Sequence, residues 1–157
     1  CLLETGFDLV IQSPQATACL PFLTDLSVRV LVLDVGDKDL SDVLPEIPFE
    51  KSLTQVDKKL ARKIIQSRKD VLPQWYQKAE KFAEDKREQL LSQAIQRVRT
   101  YFTTETQRLE SLARRNPQVS PEEVAALRAK EQAIVHALQN QVQVQLSAIR
   151  LVVTTEA

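Results

Sequence analysis

Hydrophobic and polar positions change period along this chain, from two in the first third to three and four afterwards. "FDLVIQ" from Phe7 and "VRVLVLD" from Val28 are rich in β-branched and apolar residues. Each run ends at turn-forming chemistry, Ser13 and Pro14 in one case and "DVGDKD" in the other, so both read as strands. Gly36 is expected to give its turn a positive φ angle, and "LSDVL" to return as a short antiparallel strand. The segment Gln15 to Ser27, with Pro21 inside it, reads as a long connection. Pro45 and Pro48 close this part of the chain.

From about Leu53 the pattern is helical. Leu53, Val56, Leu60 and Ile64 recur at three and four residues and stack on one face. Pro73 lacks an N–H and clashes with the preceding turn, so "DVLPQW" is a bend or a new helix start. The next stripe runs through Trp75, Ala79, Phe82, Leu90 or Leu91, Ala94, Val98, Tyr101 or Phe102, Leu109 and Leu112, weakened at Thr103, Thr104 and Thr106. A second, through Val124, Leu127, Ile134, Leu138, Val142, Leu146 and Ile149, has the spacing of a narrow coiled-coil seam.

"RLESLARRNPQVSPEEVAALRAKE", residues 108 to 131, joins the two stripes. Pro117 pushes Asn116 out of the helical region and ends the first helix. Ser120 is expected to cap the next one, with Pro121 at the first helical position, Glu123 completing a capping box and Val119 and Val124 as a hydrophobic staple. So short a turn forces the helices antiparallel. Leu112 then lies near Val124, Leu109 near Leu127, Phe102 near Ile134 and Val98 near Leu138. A helix from Ser120 to Ile149 would be about 45 Å long, and "IRLVVTT" alternates into a strand pairing with "VRVLVLD" or "FDLVIQ" to satisfy its backbone groups. The fold class is α+β: a small antiparallel sheet, from two N-terminal strands or a hairpin plus the C-terminal strand, carrying a long antiparallel helical hairpin.

A chain of 157 residues buries roughly 70% of its unfolded surface and makes one domain by default. It has no methionine and begins at Cys1, which suggests a piece of something longer. Cys1 and Cys19 are too few for a disulfide framework and, with the single His136, too few for a four-ligand zinc site. A reducing cytoplasm fits. No apolar run approaches the roughly 20 residues that span a bilayer, and no signal-peptide pattern opens the chain. The net charge of zero hides a division: residues 1 to 50 hold nine acids against Arg29 and Lys38, for −7, and the remainder carries +7. Such asymmetry can orient a domain toward an anionic partner or pair its halves.

Neither G-x-x-x-x-G-K-[ST] nor G-x-G-x-x-G can be built from Gly6 and Gly36 alone, so no nucleotide phosphate loop is present. His136, beside the Val135 and Leu138 stripe, reads as a surface histidine. Glu84, Asp85 and Glu88 lie among Lys81, Lys86 and Arg87, where pairing along a solvated helix explains them. No catalytic residue is assigned. The most suggestive charge cluster is "DKKLARKIIQSRKD", with Lys58, Lys59, Arg62, Lys63, Arg68 and Lys69 in one strip. It would track phosphates with a strong salt dependence, or serve as a wet helix face or a counterpart to the acidic sheet. Arg114 and Arg115 complement a helix's last turn by roughly 0.3–1 kcal/mol, with contact to nucleic acid or protein as the alternative. Trp75, Tyr76, Tyr101 and Phe102 are spaced as packing residues rather than as a platform for bases.

At "RLESLARRNPQVSPEEVAALRAKEQAIVHAL" and "LSAIRLVVTT" the chain resembles the carboxy-terminal region of the RapA, or HepA, family of bacterial RNA-polymerase-associated, helicase-like ATPases. The shared features are an R-L-x-x-L…N-P helix turn, on Arg108, Leu109, Leu112, Asn116 and Pro117, the long helix after it, and a closing R-L-x-V-x-T strand. That strand falls on Arg150, Leu151, Val153 and Thr155 or its neighbour Thr154. The resemblance spans nearly the whole chain, is specific over the last 50 or so residues and is looser over residues 45 to 100. It implies a parent that hydrolyses ATP with magnesium, moves on DNA and helps free stalled or post-termination RNA polymerase, with the motor before Cys1.

On that reading residues 1–157 form a single non-catalytic accessory domain, with 1–50 mostly β, 51–149 helical and 150–155 the closing strand. No cofactor is expected in this fragment. The implied partners are RNA polymerase, the parent's ATPase domains and DNA or RNA, in the cytoplasm and away from any membrane. Two alternatives of other classes are a nucleic-acid-binding module using the basic helix face, and a coiled-coil-like dimerisation element.

Overall fold

A computed structural model describes residues 1–154, so Thr155 of the closing motif lies outside the described residues. The elements in order are β1 (Leu2–Ile11), α1 (Ala16–Cys19) running into a 3-10 turn at Leu20–Phe22, β2 (Ser27–Leu33), α2 (Glu46–Lys51), α3 (Lys58–Ser67), α4 (Leu72–Arg115), α5 (Pro121–Asn140) and β3 (Val142–Val152). The three strands form one antiparallel sheet in the order β2-β1-β3, and the fold is α+β as expected. The chain divides into two compact units. One holds Cys1–Asp8, Ser27–Lys86 and the chain from Leu146; the other holds Leu9–Leu26 and Arg87–Gln145.

In the first unit β1 and β2 pair in antiparallel register, with Leu3 opposite Val32, Thr5 opposite Val30 and Phe7 opposite Val28. Period-two alternation puts these six on one face, and all are buried. The first turns of α4 cover that face. Trp75, Ala79 and Ala83 recur every four residues and are buried, the Tyr76 ring centroid lies 6.4 Å from that of Phe7, and Trp75 Nε1 donates to the Leu33 carbonyl at 3.0 Å. Each fully buried large apolar side chain contributes about 1.5–3 kcal/mol.

Four local expectations for this unit change. "LSDVL" forms no strand; the residue before it, Asp39, makes a single bridge with Val32. The Asp39 carboxylate itself accepts from the Leu31 N–H at 2.9 Å, replacing the backbone carbonyl a partner strand would offer. Gly36 has no positive φ; its N–H closes the turn onto the Leu33 carbonyl. β1 starts at Leu2 rather than Phe7, because Glu4 and Thr5, polar in the sequence, are both buried within the pairing. The helix expected from Leu53 begins at Lys58, because Asp57 stops it: its side chain accepts from the Lys59 N–H at 3.0 Å as an N-cap. Pro73 lies at the second position of α4, a new helix start.

The second unit is built on the helical hairpin. Leu91, Ala94, Val98 and Phe102 of α4 and Ile134, Ala137 and Leu138 of α5 are buried together with Leu9, Cys19 and Val142. The hairpin is antiparallel as expected, and Arg128 bonds Glu110 at 2.6 Å, two positions along α4 from Arg108, which the expected register sets opposite Arg128. The weak threonine stretch stays helical while the Thr100 and Thr104 hydroxyls bond back to the Gln96 and Thr100 carbonyls. The connection expected from Gln15 is partly helical, and its α1 packs on α5. Phe22 after it meets Tyr101 and Phe102 with centroids 5.8 and 6.4 Å apart.

Two corrections fall at α5. The capping box is not formed: the Ser120 hydroxyl caps no N–H, and the Glu123 N–H donates to the Ser120 carbonyl instead. More consequentially, the helix expected to reach Ile149 ends at Asn140, and β3 begins at Val142 instead of Arg150. "VQVQL" carries both periods, because Val142 and Leu146 suit a helical seam while Val142, Val144 and Leu146 alternate. The strand wins because β1 offers backbone partners beside it, starting with Gln12 N–H to the Gln141 carbonyl at 2.8 Å.

Candidate interaction surfaces

Of the eight basic residues singled out by sequence, four fall together on α3. Lys58, Lys59, Arg62 and Lys63 are all exposed, and no carboxylate pairs with any of them among the described residues. Arg68 is diverted from the strip: it caps the end of α3 and bonds Asp34 at 3.1 Å. Lys69 is exposed in the turn before α4. Arg114 and Arg115 occupy the last turn of α4, in the other unit, and are exposed where a helix C-terminus favours cations.

Sequence spacing gave no sign of an ionic cluster on the sheet face opposite Trp75. Glu4 is 7% exposed. Its Oε1 accepts from Arg29 Nε and its Oε2 from Arg150 Nε, both at 2.6 Å. Arg150 also reaches Glu50 at 2.9 Å, and the Arg29 guanidinium lies 5.2 Å from the Phe49 ring centroid. The partners lie on β1, β2 and β3, so only strand order brings them together. Asp39 anchors a second cluster, bonded to Lys86 at 2.6 Å. Burial alone would raise its carboxyl, but the N–H groups of Leu31 and Ser41, the Lys86 ammonium and the Ser41 hydroxyl together hold it below the ordinary carboxylate range. Both clusters fasten strands and loops.

The second unit has a groove of about 570 Å³ between α4 and α5, lined by Thr106, Glu110, Arg128, Gln132 and His136 among others. His136 is exposed and its Nδ1 lies 3.2 Å from the Asn140 amide. Cys19 is fully buried, and burial pushes its thiol up, away from the reactive thiolate. Among the described residues no group of His, Cys, Asp or Glu gathers to hold a metal ion, and no helix is long and apolar enough to cross a membrane.

A family model described as "RNA polymerase recycling family C-terminal" matches residues 1–154, the whole of the described chain. The chain belongs to this RapA carboxy-terminal family. A relative named RNA polymerase-associated protein RapA, from Vibrio parahaemolyticus, is 29% identical over 154 residues. The match covers 98% of this chain and 16% of the relative, so the chain spans about a sixth of that protein's length. The RapA-family features read from sequence, Asn116–Pro117 between two helices and Arg150 in the last strand, are hairpin and sheet elements here.

Proposed function

We propose that this chain is a non-catalytic carboxy-terminal accessory module of a RapA-like, RNA-polymerase-associated ATP-dependent DNA translocase that takes part in polymerase recycling. The observation that carries the reading is the family match over residues 1–154, joined to a relative whose own name is RNA polymerase-associated protein. The architecture supports it. The nearly buried carboxylates of Glu4 and Asp39 in one unit and the buried hairpin seam in the other suit a stiff support. ATP and magnesium belong, on this reading, to the motor outside this chain, and RNA polymerase and that motor are its partners in the cytoplasm.

Deleting the module from the longer polypeptide should lower multi-round transcription, the readout of polymerase recycling, while ATP hydrolysis by the motor persists. Hydrolysis of ATP by residues 1–157 alone, or undiminished recycling after the deletion, would remove the reading.

A further inference from the structure

α3 carries an apolar stripe that its own unit covers only in part. At about 100° per residue, Leu60, Ile64, Ala61 and Ile65 fall within an arc of about 140°. Such a stripe ordinarily pins a helix to a core. Here no residue of α3 is buried. Ala61 and Ile64, on the midline, are half-buried, while Leu60 and Ile65 at its edges are 49% and 51% exposed, and Val56 ahead of the helix is 39% exposed. Single exposed aliphatic residues are ordinary on a protein surface; an aligned stripe left open along both edges of one helix is a docking feature.

Its charges complete the pattern. Lys58 lies at one edge of the apolar arc, Arg62 and Lys63 each about 60° beyond an edge, and Lys59 behind it. Arg68, Lys78 and Lys86 of the same unit are each paired, with Asp34, Asp37 and Asp39. The cations of α3 have no such partner among the described residues, and Asp57, adjacent in sequence, is used as the helix cap. A surface complementary to α3 has an aliphatic floor and an acidic rim. Nucleic acid supplies the charge but has no use for Leu60 and Ile65. A protein surface uses both.

We infer that α3 docks on an acidic, aliphatic surface of the longer polypeptide that carries this module. This rests on reading the chain as part of such a polypeptide. About five-sixths of the Vibrio relative lies outside the matched region, so in proteins of that length a covering surface is available in cis. Charge complementarity fixes its sign.

Hydrogen–deuterium exchange tests this on the full-length polypeptide and on residues 1–157. Amides of Leu60 to Ser67 should exchange at least about tenfold more slowly in the full-length protein alone, independent of its concentration. The double variants Arg62→Glu with Lys63→Glu, and Leu60→Ser with Ile65→Ser, should each remove that protection. Exchange at Trp75 to Ala83 should stay unchanged in both, showing that the unit remains folded. Protection that appears only with added duplex DNA, only with added RNA polymerase, or only at high concentration would overturn the inference in favour of nucleic acid, the polymerase or a second copy. No protection under any condition would overturn it outright. ATP hydrolysis and polymerase binding by the same full-length sample test the accessory-module reading separately. If both are lacking while α3 is protected, that reading fails and the docking site stands.

Discussion

Arg150 donates from Nε to Glu4 Oε2 at 2.6 Å, joining residues 146 positions apart in sequence. Glu4 lies on the central strand and receives Arg29 from the other side at the same distance. One nearly buried carboxylate therefore ties together all three strands.

Removing that carboxylate leaves two guanidinium groups facing each other. Arg29 already has a buried Nη2 without a partner. Glu4→Gln should destabilise the protein by about 3 kcal/mol, the low end for breaking a buried ion pair, because Arg150, 42% exposed, is screened by water. Arg150→Ala, an outer partner, should cost less than about 1 kcal/mol. Urea unfolding followed by Trp75 fluorescence separates the two; equal losses would contradict a central role for Glu4.

The depressed Asp39 carboxyl sets an acid limit. Because its folded-state pKa lies below the unfolded value, its contribution is present above about pH 4 and is lost as pH falls through the folded value. The drop in urea midpoint between pH 6 and pH 3 should be shallower in Asp39→Asn than in the unaltered chain. A parallel pair of curves would show that Asp39 contributes nothing to the acid transition.

Along the hairpin, stability should concentrate at the base. Phe102 is 2% exposed whereas Leu112, near the turn, is 45% exposed. Phe102→Ala should cost about 3–5 kcal/mol, and Leu112→Ala about 1 kcal/mol or less. Thermal unfolding of both variants gives the comparison, and a reversed order would place the packing at the tip.

Helix caps provide a contrasting pair. Asp57 bonds the first turn of α3, whereas the Ser120 hydroxyl caps nothing in α5. Asp57→Ala should loosen α3 by about 1 kcal/mol, seen as faster exchange of its amides. Ser120→Ala should change α5 exchange by less than about 0.5 kcal/mol.

Much of this architecture was legible in the sequence where one signal dominated. Asn116–Pro117 and Pro121 fix the hairpin turn whatever surrounds them, because proline forbids helical continuation on its N-terminal side and tolerates helix start at its own position. The expected seam residues Val98, Phe102, Ile134 and Leu138 are buried, whereas Leu112, expected near Val124, is 45% exposed. The basic strip was visible too, but only four of its six members share a helix surface, since Arg68 has a carboxylate within reach.

Sequence by itself determined the α+β class, the antiparallel helical hairpin and the cationic face of α3, because each arises from residues close together along the chain. Tertiary structure alone decided where α5 yields to β3, which polar residues are buried and which arginines they meet. "VQVQL" satisfies helix and strand periods alike, and only a neighbouring strand with unpaired backbone groups selects between them. Glu4 likewise looked like an ordinary surface acid. Its burial depends on two cations, 25 and 146 residues away, that strand order delivers to it.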